Sequence, residues 1–64
     1  MTDIANVLAE AARSLETVSD TPRLDAELLM AHALRLDRSE MLLRQRDLVV
    51  PQAFAGLLKR RVGH

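Results

Sequence analysis

The stretch Thr21-Pro-Arg-Leu-Asp-Ala-Glu-Leu-Leu-Met-Ala-His-Ala-Leu34 decides the fold of this chain. Pro22 cannot extend a preceding helix but suits the first turn of a new one, with Thr21 as its N-cap. We therefore predict a helix over residues 22–36. Its apolar residues spread around most of the circumference: Leu24, Ala26, Leu28, Leu29, Met30, Ala31, Ala33 and Leu34. A helix this apolar is buried by neighbours on several sides, so we predict the central helix of an all-α bundle.

The segment before this stretch predicts an amphipathic helix. Thr2 or Asp3 can cap it, and it should end near Ser19. Its apolar residues recur at helical spacing: Ile4, Val7, Leu8, Ala11, Leu15 and Val18. A kink in this helix would raise the number of helices in the bundle from four to five.

Two shorter helices are predicted after the central one. Asp37-Arg-Ser-Glu40 has the form of a capping box and opens a short helix that ends within residues 44–46. A connector then places Leu48 and Val50 in the core. Pro51 starts the last helix, and Gly63 is suited to the position just after its end. The fold class is thus all-α, a small bundle of four to five short helices.

The composition indicates one small domain over residues 1–64. The 64 residues contain no cysteine, so disulfides are excluded and a reducing cytoplasm is compatible. No apolar run approaches the length of a membrane span, and the N-terminus does not resemble a signal peptide. We expect a cytoplasmic monomer.

Charge is distributed unevenly along this neutral chain. Residues 1–40 hold four Arg against eight Asp and Glu, a net charge of −4, whereas residues 41–64 hold five Lys and Arg against one Asp, a net charge of +4. Either the two halves attract each other in the folded domain, or the basic end faces an acidic partner. Zero net charge argues against nucleic-acid binding.

The sequence offers little support for a metal or phosphate site. His32 and His64 are the only histidines, and no HExxH motif or cysteine cluster accompanies them. Gly56 and Gly63 lie in no phosphate-binding motif. We predict that Gly56, inside the last helix, allows close approach of another helix.

Three polar residues in the central helix require an explanation. Asp25 and His32 are about 10 Å apart along the helix axis, too far for a catalytic dyad. We expect Asp25 to satisfy first-turn N–H groups and to pair with an arginine, either Arg23 or one from a neighbouring helix. Glu27 should face solvent or pair with Arg23. His32 should be half-buried and bonded to a backbone carbonyl.

A helix-turn-helix DNA-binding module is an alternative interpretation. Arg38, Arg44 and Arg46 follow the central helix. The segment between them offers few polar side chains for base edges, however, so DNA binding ranks behind protein binding.

The central stretch, taken whole, resembles a known family. Thr21, Pro22, Arg23, Asp25 and the residues after them match a pattern S/T-P-R-x-D-A-E-x-L-L-x-H-x-L, which also includes Ala26, Glu27, Leu28 or Leu29, His32 and Leu34. Residues 57–64, Leu-Leu-Lys-Arg-Arg-Val-Gly-His, resemble a segment L-x-x-R-R-x-x-G-E-P. Both patterns are similar to the N-terminal helical domain of peptide chain release factor glutamine methyltransferases, the PrmC/HemK family.

The resemblance implies a function that residue chemistry alone does not. Such enzymes methylate the glutamine of the Gly-Gly-Gln motif of class I release factors, using S-adenosylmethionine held in a Rossmann-like domain. Its Gly-rich loop and Asn-Pro-Pro-Tyr motif are absent here. The resemblance therefore implies a catalytic domain C-terminal to this chain, with no catalytic, cofactor-binding or metal-binding residue in the chain itself.

The resemblance also suggests roles for particular residues. We expect the chain to contact the release factor and the catalytic domain. Structural residues of the family motif are Pro22, Arg23, Asp25, Ala26, Glu27, Leu29 and His32. We expect Asp25 and Arg23 to order the turn before the central helix, and His32 to pack that helix against the third. The candidates for partner contact are Arg44, Arg46, Lys59, Arg60 and Arg61. A stand-alone helical interaction module is the alternative function.

Overall fold

Four helices build the domain in the computed structural model, which describes residues 3–63. They are α1 (Ile4–Leu15), α2 (Pro22–Leu34), α3 (Arg38–Arg44) and α4 (Gln52–Val62), and no strand occurs within these residues. The radius of gyration of 10.7 Å is that expected of a compact domain of this length. The all-α prediction is confirmed, with four helices in residues 3–63 and α1 as one continuous helix.

The helices begin where the local sequence predicts. The Asp3 side chain accepts a hydrogen bond from the backbone N–H of Asn6 at 2.8 Å, so Asp3 caps α1, while Thr2 lies outside the described residues. Pro22 occupies the first turn of α2, and Pro51 directly precedes α4. Thr21 and Asp37 occupy the N-cap positions of α2 and α3, but neither side chain makes the capping hydrogen bond. The capping box predicted at Asp37 is therefore wrong.

The first two helices end earlier than predicted, whereas α3 ends at Arg44, within its predicted range. The first ends at Leu15 rather than near Ser19, because the chain tightens into turns in which Val18 N–H bonds to Leu15 C=O. The Ser19 hydroxyl oxygen then accepts a hydrogen bond from Thr21 N–H at 3.0 Å. This contact shapes the turn between α1 and α2.

The end of α2 is a Schellman motif built on an arginine. Arg35 lies in the left-handed region with a φ of 60°. Its N–H bonds to the His32 carbonyl, and the N–H of Leu36 bonds to the Ala31 carbonyl. The two bonds satisfy carbonyls that the helix end would leave free. They also stop α2 at Leu34, before the predicted residue 36.

The core lies between α1 and α2, with contributions from α3 and α4. Met30 of α2 is fully buried, as are Ile4, Leu8 and Leu15 of α1 and Met41 of α3. Phe54 of α4 is also buried, and Leu48 and Val50, in the connector between α3 and α4, pack against this cluster as predicted. Helix α2 contacts α1, α3 and α4, which confirms its central position.

One side of α2 nevertheless stays open. Leu24 and Leu28, predicted to be buried with the rest of the helix, are 40% and 49% exposed. The buried positions are instead Ala26, Glu27, Met30 and Ala31. Three partner helices, one of them very short, do not suffice to surround α2.

Candidate partner-binding surface

Glu27 is the one charged residue in the core of the described chain. It is 6% exposed, so the prediction that it faces solvent is wrong. Its carboxylate accepts hydrogen bonds from Arg23 Nε at 3.0 Å and from Arg38 Nε at 2.8 Å. Arg38 Nη2 also lies 2.6 Å from the same carboxylate. The predicted pairing with Arg23 is confirmed, and the Arg38 contact joins the middle of α2 to the start of α3.

The two arginines determine the charge state of Glu27. Burial raises the pKa of this carboxyl group, but the hydrogen bonds and positive charges of Arg23 and Arg38 outweigh burial and hold the pKa below its ordinary value. Glu27 is therefore ionised at neutral pH and serves as a structural anion. Because Arg38 is committed to this contact, it is a poor candidate for reading DNA.

Asp25 joins the start of α2 to the end of α4. Its carboxylate lies 3.1 Å from Arg61 Nη2, which matches the predicted alternative of an arginine from a neighbouring helix. Asp25 does not pair with Arg23, whose guanidinium is bound to Glu27. The idea that Asp25 and Arg23 together order the preceding turn is wrong. Arg61, proposed from sequence as a partner contact, has an internal role as well.

His32 differs most from its predicted environment. The prediction of a half-buried histidine that packs α2 against α3 is wrong, because His32 is exposed and faces α4. With Ala33 and Arg35 it forms one wall of an open groove of about 460 Å³. The other wall comes from α4 and includes Ala53, Gly56, Leu57 and Arg60. We call this the α2–α4 groove.

The other cations predicted to contact a partner lie at two separate helix ends. Arg44 and Arg46 are exposed at and after the end of α3, and Arg46 lines a depression with Asp3, Ala5 and Gln45. Lys59 and Arg60 are exposed in the last turn of α4. Of these, Arg60 lies in the α2–α4 groove.

The apolar residues of the family motif have structural positions. Ala26 is fully buried and Leu29 packs against the core, while Pro22 begins the helix. Residues 3–63 hold no group of His, Cys, Asp and Glu arranged to bind a metal ion. Within the same residues, no helix is long and apolar enough to cross a membrane.

Comparison with known proteins identifies the family. The family described as PrmC N-terminal domain matches residues 6–64, nearly the whole sequence. The chain belongs to the PrmC N-terminal domain family. No curated protein and no solved structure matches it significantly. The family assignment agrees with the all-helical architecture and places the chain in a methyltransferase context.

For two residues of this PrmC N-terminal domain, the sequence did not predict the observed environment. Gly56 was predicted to allow close approach of another helix, but a Cβ atom built there meets nothing within 4 Å. The prediction is wrong, and the glycine costs α4 about 1 kcal/mol relative to alanine. Arg35 was not singled out at all. Glycine or asparagine usually marks a left-handed helix end, and neither lies near residue 35, where α2 ends. The sequence therefore gives no direct signal for the conformation of Arg35.

Proposed function

We propose that this chain is the release-factor-binding domain of a protein-glutamine methyltransferase. One observation carries the proposal: the PrmC N-terminal domain family matches residues 6–64. The proposed reaction of the complete enzyme is methyl transfer from S-adenosylmethionine to the glutamine of the Gly-Gly-Gln motif. Translation termination factors are cytoplasmic, so we propose the same location for this protein.

The residues of this chain support a binding role. The two glycines lie within α4 and directly after it, so neither belongs to the strand-to-helix loop that would cradle S-adenosylmethionine. Two acidic side chains are engaged in structural ion pairs, the buried Glu27 with two arginines and the partly exposed Asp25 with Arg61. We therefore assign methyl transfer and cofactor binding to a C-terminal catalytic domain. The helical domain would hold the release factor so that its glutamine reaches that domain in a reactive orientation.

A binding and competition experiment tests the proposal. The purified chain should bind a class I release factor in isothermal titration calorimetry. In excess, it should also slow methylation of that factor by a complete PrmC enzyme, because it occupies the same surface of the substrate. A release factor truncated to remove the Gly-Gly-Gln domain is the control for the region bound. No heat of binding together with no inhibition would refute the proposal.

The coding sequence beyond His64 provides an independent check. A Gly-rich loop after a strand, followed by Asn-Pro-Pro-Tyr in the same reading frame, is the expected result. A stop codon directly after His64 would instead favour the stand-alone interaction module.

A further inference from the structure

Two residues that line the α2–α4 groove do not match the preference of the local backbone. Gly56 lies inside α4, where it lowers helix stability, and no part of the described chain approaches its Cα closely enough to require it. Arg35 occupies a left-handed position that a glycine would adopt without steric cost. The hydrogen bonds at the end of α2 compensate for the backbone of Arg35, but nothing among residues 3–63 compensates for Gly56. Uncompensated departures from local preference tend to concentrate at functional sites.

The position of Gly56 indicates what the groove accommodates. A glycine on a helix surface lets another backbone approach more closely than any side chain would allow. The surface around Gly56 is open, and Ala33 and Ala53 add only small side chains to the walls of the groove. The groove is therefore shaped for the main chain of a partner segment, with Leu57 offering an apolar contact.

The charges around the groove indicate the chemistry of that segment. Arg35 and Arg60 both line it, and neither makes an ion pair with any residue among 3–63. In contrast, the arginines at positions 23, 38 and 61 are all engaged in ion pairs. No acidic residue lines the groove. Two exposed arginine residues beside the apolar side chains of the groove are complementary to carboxylates that flank a small or apolar side chain.

We propose that the α2–α4 groove is the docking site for an extended acidic segment of a protein partner. Its main chain passes over Gly56, and its carboxylates pair with Arg35 and Arg60. This inference rests on the proposed function in one respect: the partner that carries the acidic segment is the release factor. The groove itself is derived from the packing of α2 against α4 and can be tested separately.

Substitutions at Gly56 separate binding from folding. Gly56→Leu places a side chain in open space, so it should leave the melting temperature unchanged or raise it by a few degrees while it fills the groove. Gly56→Ala is the matched control, because it makes the same change in helix preference and leaves most of the groove open. We expect the affinity for a release factor to fall at least tenfold for Gly56→Leu, and less than threefold for Gly56→Ala.

Paired arginine substitutions test the acidic chemistry. The double variant Arg35→Gln/Arg60→Gln should weaken binding about tenfold and reduce its salt dependence. The variant Arg44→Gln/Arg46→Gln removes the same charge at the end of α3 and should weaken binding less than threefold. Equal affinities for the two double variants would overturn the assignment of an acidic segment.

The outcomes distinguish this inference from the proposed function. If the release factor binds the wild type and Gly56→Leu equally well, the groove inference fails and the proposed function stands. If the release factor binds neither, the proposed function fails. In that case, nuclear magnetic resonance titration of the chain with a capped Glu-Asp-Leu-Glu-Asp peptide tests whether the groove binds an acidic segment. Amide shifts confined to the groove, and lost in Gly56→Leu, would support it; shifts elsewhere, or none, would overturn it.

Discussion

Replacing Glu27 with glutamine tests the central electrostatic feature of this fold. The substitution keeps the size of the side chain and one hydrogen-bond acceptor, but it removes the charge that holds Arg23 and Arg38. Glu27 itself is buried, whereas the two arginine side chains are 50% and 44% exposed. Water therefore screens each pair, and each contributes about 0.5–1 kcal/mol rather than the larger value of a fully buried pair. We expect Glu27→Gln to lower the free energy of unfolding by about 1–2 kcal/mol.

The pH dependence of that loss has a definite sign. The folded-state pKa of Glu27 is lowered, so its stabilising contribution is fully present above the ordinary glutamate pKa of about 4.3. It is lost as the pH falls further, through the folded-state pKa, because the protonated carboxyl group no longer attracts the arginines. The difference between wild type and Glu27→Gln should be constant near neutral pH and shrink towards zero below about pH 4.

Far-ultraviolet circular dichroism is the appropriate assay, because the chain has no tryptophan or tyrosine. Urea titrations of both proteins across the pH range give the free energy of unfolding directly. The expected loss at neutral pH corresponds to a decrease of about 5–15 °C in melting temperature for a domain of this size. Glu10→Gln, the same charge change on an exposed residue of α1, is the control and should alter stability by less than about 0.5 kcal/mol. A Glu27→Gln variant as stable as wild type at neutral pH, or a difference that persists in acid, would refute the reasoning.

Three further substitutions test other parts of the fold by the same urea titrations. Asp3→Ala removes the N-cap of α1 and should cost about 1 kcal/mol, whereas Asp3→Asn keeps a capping oxygen and should cost little; equal losses would argue against capping. Met30→Ala leaves a cavity beside α1 and should cost about 2–5 kcal/mol, against less than about 1.5 kcal/mol for Met30→Leu. Asp25→Asn breaks a partly exposed pair with Arg61 and should cost only about 0.5–1 kcal/mol, and a loss above 2 kcal/mol would mean that the pair matters more than its exposure indicates.

The helix starts were predictable because they depend on short-range interactions. Pro22 and Pro51 cannot lie inside a helix that begins earlier, and Asp3 bonds to an N–H three residues away. The spacing of three to four residues between apolar positions along α1 likewise predicts its buried face, since one stripe of the helix meets the core. The ends of α1 and α2 were less predictable, and at the end of α2 the left-handed Arg35 carries no glycine signal.

The candidate site was only partly predictable. The sequence pattern identified the motif residues of α2 and the basic end of α4, and the family match over residues 6–64 includes both segments. It did not distinguish Arg60, which lies in the α2–α4 groove, from Arg61, which pairs with Asp25. Neighbouring positions on a helix point about 100° apart, so which one meets a partner helix depends on how the helices pack.

The sequence by itself determined an all-α bundle, the start of each described helix and membership in the PrmC N-terminal domain family. Only the tertiary structure decided which side of α2 is covered. Glu27 is buried because Arg38 at the start of α3 reaches it, and His32 is exposed because α4 packs beside it without covering it. An apolar surface around most of a helix does not indicate which part its neighbours will leave open. That depends on the number, length and placement of those neighbours, which are separated from α2 in sequence.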